Sequence, residues 1–395
     1  MRKSYLYFTI TIGLLIAVIT SLHSCKKVNG VDNDQVVETP FSLYFSDTAG
    51  AVWNSTDGKT KNQIFEYDNY PCRAICVSYE NVLLIKRNLY ISTNNGLNFN
   101  HSYDSVASYP GFSCGGFPFD LNQSMVINIK DWNYVYVVND DVDPNNYVGL
   151  SFNLYGGAQG GWALDIPDSL GSIGNYGPFY PIRITSLTLM TNGPLAGVLA
   201  GYDAHSNRCF YRTKNSLWNE VSGNPDSALV PGIGAPGRSS GNGLPHHDIY
   251  STPVDTTARY SYGHYNSQLI AINQINCSGS GAYYSNDTGR NWTGMAGLPN
   301  GPLLCVESPF DQICLIGTGG YGLYILNINT NTWQANNNGL AKNLVVRSIV
   351  AKQMIYKNGK VQKYIFLATN AGIYQSTDLG NTWILTIPGN FSAIY

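Results

Sequence analysis

His246, His247 and Asp248, within LPHHDIY (244–250), bring together two imidazoles and a carboxylate. These residue types ligate metals or move protons near neutral pH. His205 is the further imidazole that could join them. Adjacent residues on a strand point to opposite faces, so His246 and His247 cannot both reach one ion without a bend. Hydrogen bonding at the start of a strand, or contact with a polar ligand, is therefore favoured over a metal, and no cofactor is expected. NDDVDPNN (139–146) alternates carboxylates as calcium loops do, but it lacks the glycine and distal glutamate of such a loop and reads as a solvated turn. Trp162 in WALDIPD and Tyr176, Tyr180 and Arg183 in NYGPFYPIR offer aromatic faces beside polar groups. Such surfaces suit sugar rings, protein contacts or simple loop packing. Acid–base work on a glycosidic bond needs two convergent carboxyl groups, and no such pair stands out.

The elements that carry these residues follow from composition and repetition. Charged residues make up 12% of the chain and aromatic residues 13%, with Gly, Asn, Ser and Tyr in the short gaps between apolar runs. Many short strands joined by tight turns have this make-up. The net charge is −2, with no basic stripe to neutralise phosphates, so nucleic acid is excluded as a partner. One layout recurs: GAYYSNDTGRNW (281–292), AGIYQSTDLGNTW (371–383) and NLYISTNNGLNF (88–99). Weaker copies are GLYILNINTNTW (322–333), CFYRTKNSLW (209–218) and AVWNSTDGKT (51–60), and YVGLSFNLYGGAQGGW (147–162) keeps little beyond a strand and a tryptophan. Two further apolar runs precede each copy, which makes four strands per unit. Four-stranded units repeated in series are the mark of a β-propeller.

Within the motif an Asp or Asn side chain accepts nearby backbone N–H groups, and the glycine supplies a φ that other residues resist. The closing aromatic buries its ring between units. Ser92, Asn94, Gly96 and Phe99 in one copy have this structural role, as do Ser285, Asp287, Gly289 and Trp292 in a second and Ser376, Asp378, Gly380 and Trp383 in a third.

This layout closely resembles the Asp-box (BNR) repeat of sialidases, sortilin-type receptors, xyloglucanases and photosystem II assembly-factor-like propellers, over residues 41–395. The resemblance implies an all-β propeller fold, and the seven copies counted along the chain make it a seven-bladed β-propeller of four-stranded antiparallel blades. NFSAIY (390–395) looks like the innermost runs CRAICVS and VVRSIVA, whereas FSLYFS (41–46) reads as a second strand. The C-terminal strand is therefore expected to join the first blade and close the ring. In such propellers ligands gather on the face with the inter-blade loops, opposite the Asp-box turns. Residues 100–122, 139–147, 155–181 and 219–247 are longer than ordinary connections and mark that face as a binding rim. Sialidase chemistry is not implied, because PIR (181–183) reverses the expected order and few arginines are present. The xyloglucanase pair of catalytic aspartates needs two propellers, and no catalytic residue carries over.

At the N-terminus Arg2 and Lys3 precede an apolar run, Tyr5–Thr20, and then LHSC (22–25). Residues 1–24 read as a lipoprotein signal peptide with Cys25 the acylated residue, and 25–40 as a flexible tether. Seven other cysteines argue against a complete disulfide framework. A hairpin turning at Pro309–Phe310 would nonetheless set Cys305 opposite Cys314 for a cross-strand disulfide. The expectation is a monomeric bacterial envelope lipoprotein, held at the outer membrane or cell surface. Its rim, with His205, His246, His247, Asp248, Trp162, Tyr180 and Arg183, would bind a glycan or an envelope protein. The alternative is a glycan-active hydrolase or lyase using the same face.

Overall fold

The computed structural model describes residues 37–66, 70–72, 74–78, 81–86, 89–103, the strands between 113 and 221 with residues 198, 213 and 216, and residues 260–265, 268–273, 281–287, 291–310 and 313–395. Every regular element among them is a strand. In chain order these are β1 (Val37–Thr39), β2 (Leu43–Asp47), β3 (Val52–Ser55) and β4 (Asn62–Phe65), then β5 (Ala74–Ser78), β6 (Asn81–Ile85), β7 (Leu89–Ser92) and β8 (Asn100–Tyr103). The short pair β9 (Ser113–Cys114) and β10 (Phe117–Pro118) precedes β11 (Met125–Ile129), β12 (Tyr134–Val138), β13 (Leu150–Asn153) and β14 (Trp162–Leu164). Next come β15 (Ile184–Leu189), β16 (Leu199–Asp203), β17 (Arg208–Arg212) and β18 (Asn219–Val221), and β19 (Tyr260–Tyr265), β20 (Gln268–Asn273), β21 (Ala282–Ser285) and β22 (Thr293–Met295). The last are β23 (Leu303–Phe310), β24 (Ile313–Thr318), β25 (Leu323–Asn327), β26 (Thr332–Ala335), β27 (Val346–Tyr356), β28 (Val361–Thr369), β29 (Gly372–Ser376), β30 (Ile384–Pro388) and β31 (Phe391–Ile394).

Consecutive strands form antiparallel meanders: β5 to β8, β11 to β14, β15 to β18, β19 to β22 and β23 to β26. A further sheet runs β27 to β30 with β1 added beside β27, and another has the order β31-β2-β3-β4. Strand position within a sheet explains the sequence pattern. The second strand β24 is covered on both faces and reads as a nearly unbroken apolar run; ICLIGT is buried at all six positions. In the outer strand β26, TWQA, Trp333 is buried, Thr332 half-buried, and Gln334 and Ala335 exposed.

Among the described residues, three apolar clusters lie between successive sheets. Ile270, Ile272 and Ala282 of one sheet pack with Val306, Cys314, Ile316 and Trp333 of the next. Leu315 and Leu323 pack with Val346, Leu367, Tyr374 and Trp383. Tyr44, Val52 and Ala393 pack with Ile75, Val82 and Leu84.

The C-terminal segment pairs with β2, setting Phe45 against Ile394 and Ser46 against Ala393. Tyr44 and Tyr395 exchange backbone hydrogen bonds of 2.8 and 2.7 Å. FSAIY thus supplies an edge strand of the first sheet, beside β2. The first strands of successive sheets neighbour one another in series, from β31 to β5, β11, β15, β19 and β23. The Cys305 thiol of β23 points to the Val346 carbonyl of β27 at 3.8 Å. Arg347 of β27 donates to Asn390 Oδ1 (2.8 Å) and Phe391 O (2.9 Å), and Ser348 donates to Ile394 O at 3.3 Å.

By internal contacts the chain divides into two compact units, one of residues 41–352 and 363–395, the other of residues 1–40 and 353–362. In the second unit Val37 pairs with Tyr356 and Thr39 with Ile355, and a turn closes through Tyr356 N–H to Lys360 O at 2.9 Å. The stretch 25–40, expected to be a tether throughout, therefore ends in a short paired strand. Cys25 lies outside the described residues.

The expected disulfide is corrected. Phe310 pairs with Ile313, so the reversal comes after Pro309–Phe310, and Cys305 pairs with Gly317. The register shifts twice along this hairpin. Cys314 faces the cluster holding Trp333, whereas Cys305 packs against the one holding Trp383. The two thiols are thus on opposite faces of their sheet, and both are free. Burial pushes the Cys305 thiol up to about 12 and raises that of Cys314 as well.

Candidate functional site

The Ser-x-Asp and Ser-x-Asn turns join the third and fourth strands of their sheets, and their geometry decides whether the carboxylates are available. Ser376 Oγ donates to Asp378 Oδ1 at 2.7 Å and accepts Gly380 N–H at 2.8 Å. Asp378 also accepts Thr382 N–H at 2.9 Å and the Thr382 hydroxyl at 2.5 Å. Asp287 repeats this with Ser285 Oγ (2.8 Å) and the Asn291 amide N–H (2.9 Å). In the third copy Asn94 substitutes an amide oxygen, bound by Ser92 Oγ at 2.8 Å and Asn98 N–H at 3.0 Å. Gly289 lies outside the described residues. The tip residue before the glycine also takes a left-handed conformation: Asn95 at φ 56° and Leu379 at φ 61°.

AVWNSTDGKT, read as a weak copy, builds an equivalent turn. Ser55 Oγ donates to Asp57 Oδ1 at 3.0 Å, and that oxygen accepts both Lys59 N–H and Thr60 N–H at 2.8 Å. The Ser-x-Asp spacing alone was the usable signal. Burial raises the Asp57 carboxyl, but the amides of Thr60 and Lys59 and the hydroxyls of Thr60 and Ser55 outweigh it and hold it at about 2. Asp378 is lowered in the same way: burial opposes, and the Thr382 and Ser376 donors prevail. These carboxylates serve their own turns.

The turns ending in Trp383 and Trp333 also fasten their sheets to the preceding ones. Trp383 N–H donates to Asn338 O at 3.0 Å, and Asn336 Nδ2 donates to Gly380 O at 2.6 Å. One sheet earlier, Trp333 N–H donates to Ala296 O at 2.8 Å. Gly297 (φ 98°) and Gly339 (φ 88°) lie over these tryptophans, where a Cβ would run into the carbonyl oxygens of Trp333 and Trp383. The pairs Gly297–Leu298 and Gly339–Leu340 therefore form a second repeated signal, which reading from the tryptophan boxes overlooked. The rings are buried between sheets, Trp333 and Trp383 each 2% exposed, and Phe99 packs edge-on against Phe65 at 5.4 Å. Their burial outweighs the indole N–H groups of Trp333 and Trp383, which find no partner among the described residues.

At the turns between second and third strands the fasteners differ. Thr318 and Thr369 donate to Gly322 O (2.7 Å) and Gly372 O (2.6 Å), and Asp47 Oδ1 accepts Ala49 and Ala51 N–H (3.0 and 2.9 Å). At the matching place Lys86 is fully buried and donates to Gly50 O of the neighbouring sheet at 2.5 Å, its ammonium 4.4 Å from the Phe65 ring centre. On β23, Glu307 remains open to solvent although protein atoms surround it, and that enclosure pushes its carboxyl up to about 7.

Most residues expected on the rim lie outside the described part of the chain: His205, His246, His247, Asp248, Tyr180 and Arg183. Trp162 stands at the head of β14, paired with Asn153, and so belongs to an outer strand rather than a rim loop. Among the described residues no group of three His, Cys, Asp or Glu could hold a metal ion.

No protein-family model and no curated protein matches the chain. Among solved structures it is similar to YCF48 bound to D1 peptide, at 9% identity over 84% of this chain and 92% of that one, with a TM-score of 0.44. It is also similar to YCF48 from Cyanidioschyzon merolae, at 13% identity over 86% and 96%, with a TM-score of 0.45. The extracellular domain of the hybrid two-component system BT3049 from B. thetaiotaomicron aligns at 14% identity over 82% of this chain and 36% of that one, with a TM-score of 0.48. These likenesses are loose, and the architecture rests on the sheets themselves. Four-stranded antiparallel meanders repeated along the chain, packed face to face in sequence order, make this an all-β repeat protein of propeller type.

Proposed function

We propose that this chain is a lipid-anchored envelope protein whose seven-bladed Asp-box propeller, closed by the C-terminal strand, binds a glycan or a partner protein without chemistry. The observation that carries this reading is the use of the repeated carboxylates. Asp57, Asp287 and Asp378 each accept hydrogen bonds inside their own turns, which leaves recognition to the opposite, loop-rich rim. Ring closure is supported by first strands of successive sheets that neighbour one another in series and by the Arg347 and Ser348 bonds to the C-terminal segment. The anchor rests on Arg2, Lys3, the apolar run and LHSC, with Cys25 as the acylated residue.

The rim candidates are His205, His246, His247, Asp248, Tyr180 and Arg183. Purified protein should bind a polysaccharide or retain an envelope protein stoichiometrically without turnover, and Tyr180→Ala should weaken the binding. Depolymerisation of a glycan, abolished by Asp248→Asn, would establish an enzyme instead. Metabolic labelling with a fatty acid should mark the full chain and be lost in Cys25→Ser.

A further inference from the structure

The hairpin of β27 and β28 is longer than the repeat requires. These strands have 11 and 9 residues, against 5 each for β5 and β6, the same two positions of another sheet. Pairing of β28 with β29 ends at Ile365 opposite Ser376, so residues 361–364 run on past that partner. The far end of the hairpin is instead paired with β1, Val37 opposite Tyr356 and Thr39 opposite Ile355. The N-terminal segment is thereby fixed to the hairpin.

The charge here is one-sided. Residues 312–377 hold no Asp or Glu, whereas Lys352, Lys357, Lys360 and Lys363 fall within twelve positions. Lys357 and Lys360 are exposed at the tip, and Val361 beside them is 47% exposed. Lys352 and Lys363 lie over the rings of Tyr395 and Phe310, 4.4 and 4.7 Å from their centres. Glu38 is the single acidic residue of β1, so four lysines less one carboxylate leave +3, in a chain of net charge −2. A cationic tip with an apolar side chain beside it suits anionic headgroups over acyl chains. Position favours lipid over other anions. Cys25 stands 12 residues before Val37, a reach of at most about 40 Å, so an acyl group there holds the tip near the bilayer. Within that stretch Asp32 and Asp34 offset Lys26 and Lys27, which leaves the attraction to the hairpin.

We infer that the β27–β28 hairpin docks on anionic lipid headgroups beside the anchor, an assignment that rests on the acylation of Cys25 read above. The test is lysine acetylation of the full, acylated chain on vesicles of phosphatidylcholine, alone or mixed with phosphatidylglycerol. Mass spectrometry follows each residue, with the exposed Lys342 as reference. Phosphatidylglycerol should slow modification of Lys357 and Lys360 at least about fivefold relative to Lys342, and about 1 M salt should restore it. Lys357→Glu should lift the protection of Lys360 and leave the melting temperature near that of the parent, since the side chain is exposed. Attachment to both vesicles with equal rates overturns the docking and leaves the anchor standing. Attachment to phosphatidylglycerol vesicles alone, with both lysines protected, upholds the docking and overturns the anchor. Attachment to neither overturns both. Protection without vesicles that grows with protein concentration assigns the tip to a second copy of the chain and overturns the docking.

Discussion

Ser-x-Asp works because a hydroxyl two residues before a carboxylate can bind it and still accept an amide from the far side of the turn. Ser376, Asp378 and Gly380 show the full arrangement. The turn does not need a charge, since Asn94 presents an amide oxygen in the same place. The tip residue matters as much as the glycine, and its conformation was not legible from the motif. Asn95 tolerates φ 56°, whereas Leu379 at φ 61° sets a branched apolar side chain in the left-handed region and leaves it 38% exposed. Leu379→Asn should stabilise the protein by about 1 kcal/mol. Asp378→Ala should cost about 1 kcal/mol by leaving the Thr382 and Ser376 donors without their acceptor. Denaturant unfolding of the two variants against the parent measures both, and equal midpoints would show that the turn does not depend on these contacts.

Between elements, the informative residues are the glycines that let one sheet's exit cross the next sheet's tryptophan. Gly339 combines φ 88° with contact against the Trp383 backbone, so Gly339→Ala meets both strain and collision. A loss of about 3 kcal/mol is expected, read as a lower midpoint or failure to accumulate folded protein. An alanine at Gly359, in open space and also at positive φ, isolates the strain alone and should cost about 1 kcal/mol. The disulfide expectation failed at this scale for a definite reason. Facing residues can be counted off a hairpin only while the ladder is regular, and β23–β24 shifts register twice. Trp162 was misplaced because a long loop was assumed where β14 begins.

For the whole molecule, the test of organisation is the join between the two ends of the larger unit. Phe391 is 1% exposed and meets Phe45 edge-on at 5.3 Å. Phe391→Ala should destabilise by about 3–5 kcal/mol through the cavity and the weakened hold of β31. Removing residues 391–395 should expose the edge of β2 and turn one cooperative transition into a broadened one with aggregation. A calorimetric profile unchanged by the truncation would refute the keystone role of this strand.

By itself, the sequence determined the strand-rich class, the four-strand period, the fastening role of the Tyr-to-Trp hairpins and the return of the C-terminal segment to the first sheet. Those properties reside in local turn chemistry and in which runs are apolar on one face or two. Tertiary structure alone decided which face Cys305 and Cys314 occupy, where Gly297 and Gly339 must lack side chains, and that Val37–Thr39 pairs with the β27–β28 hairpin. Each depends on register shifts or on contact between residues far apart in the chain, and periodicity along one strand carries no record of either.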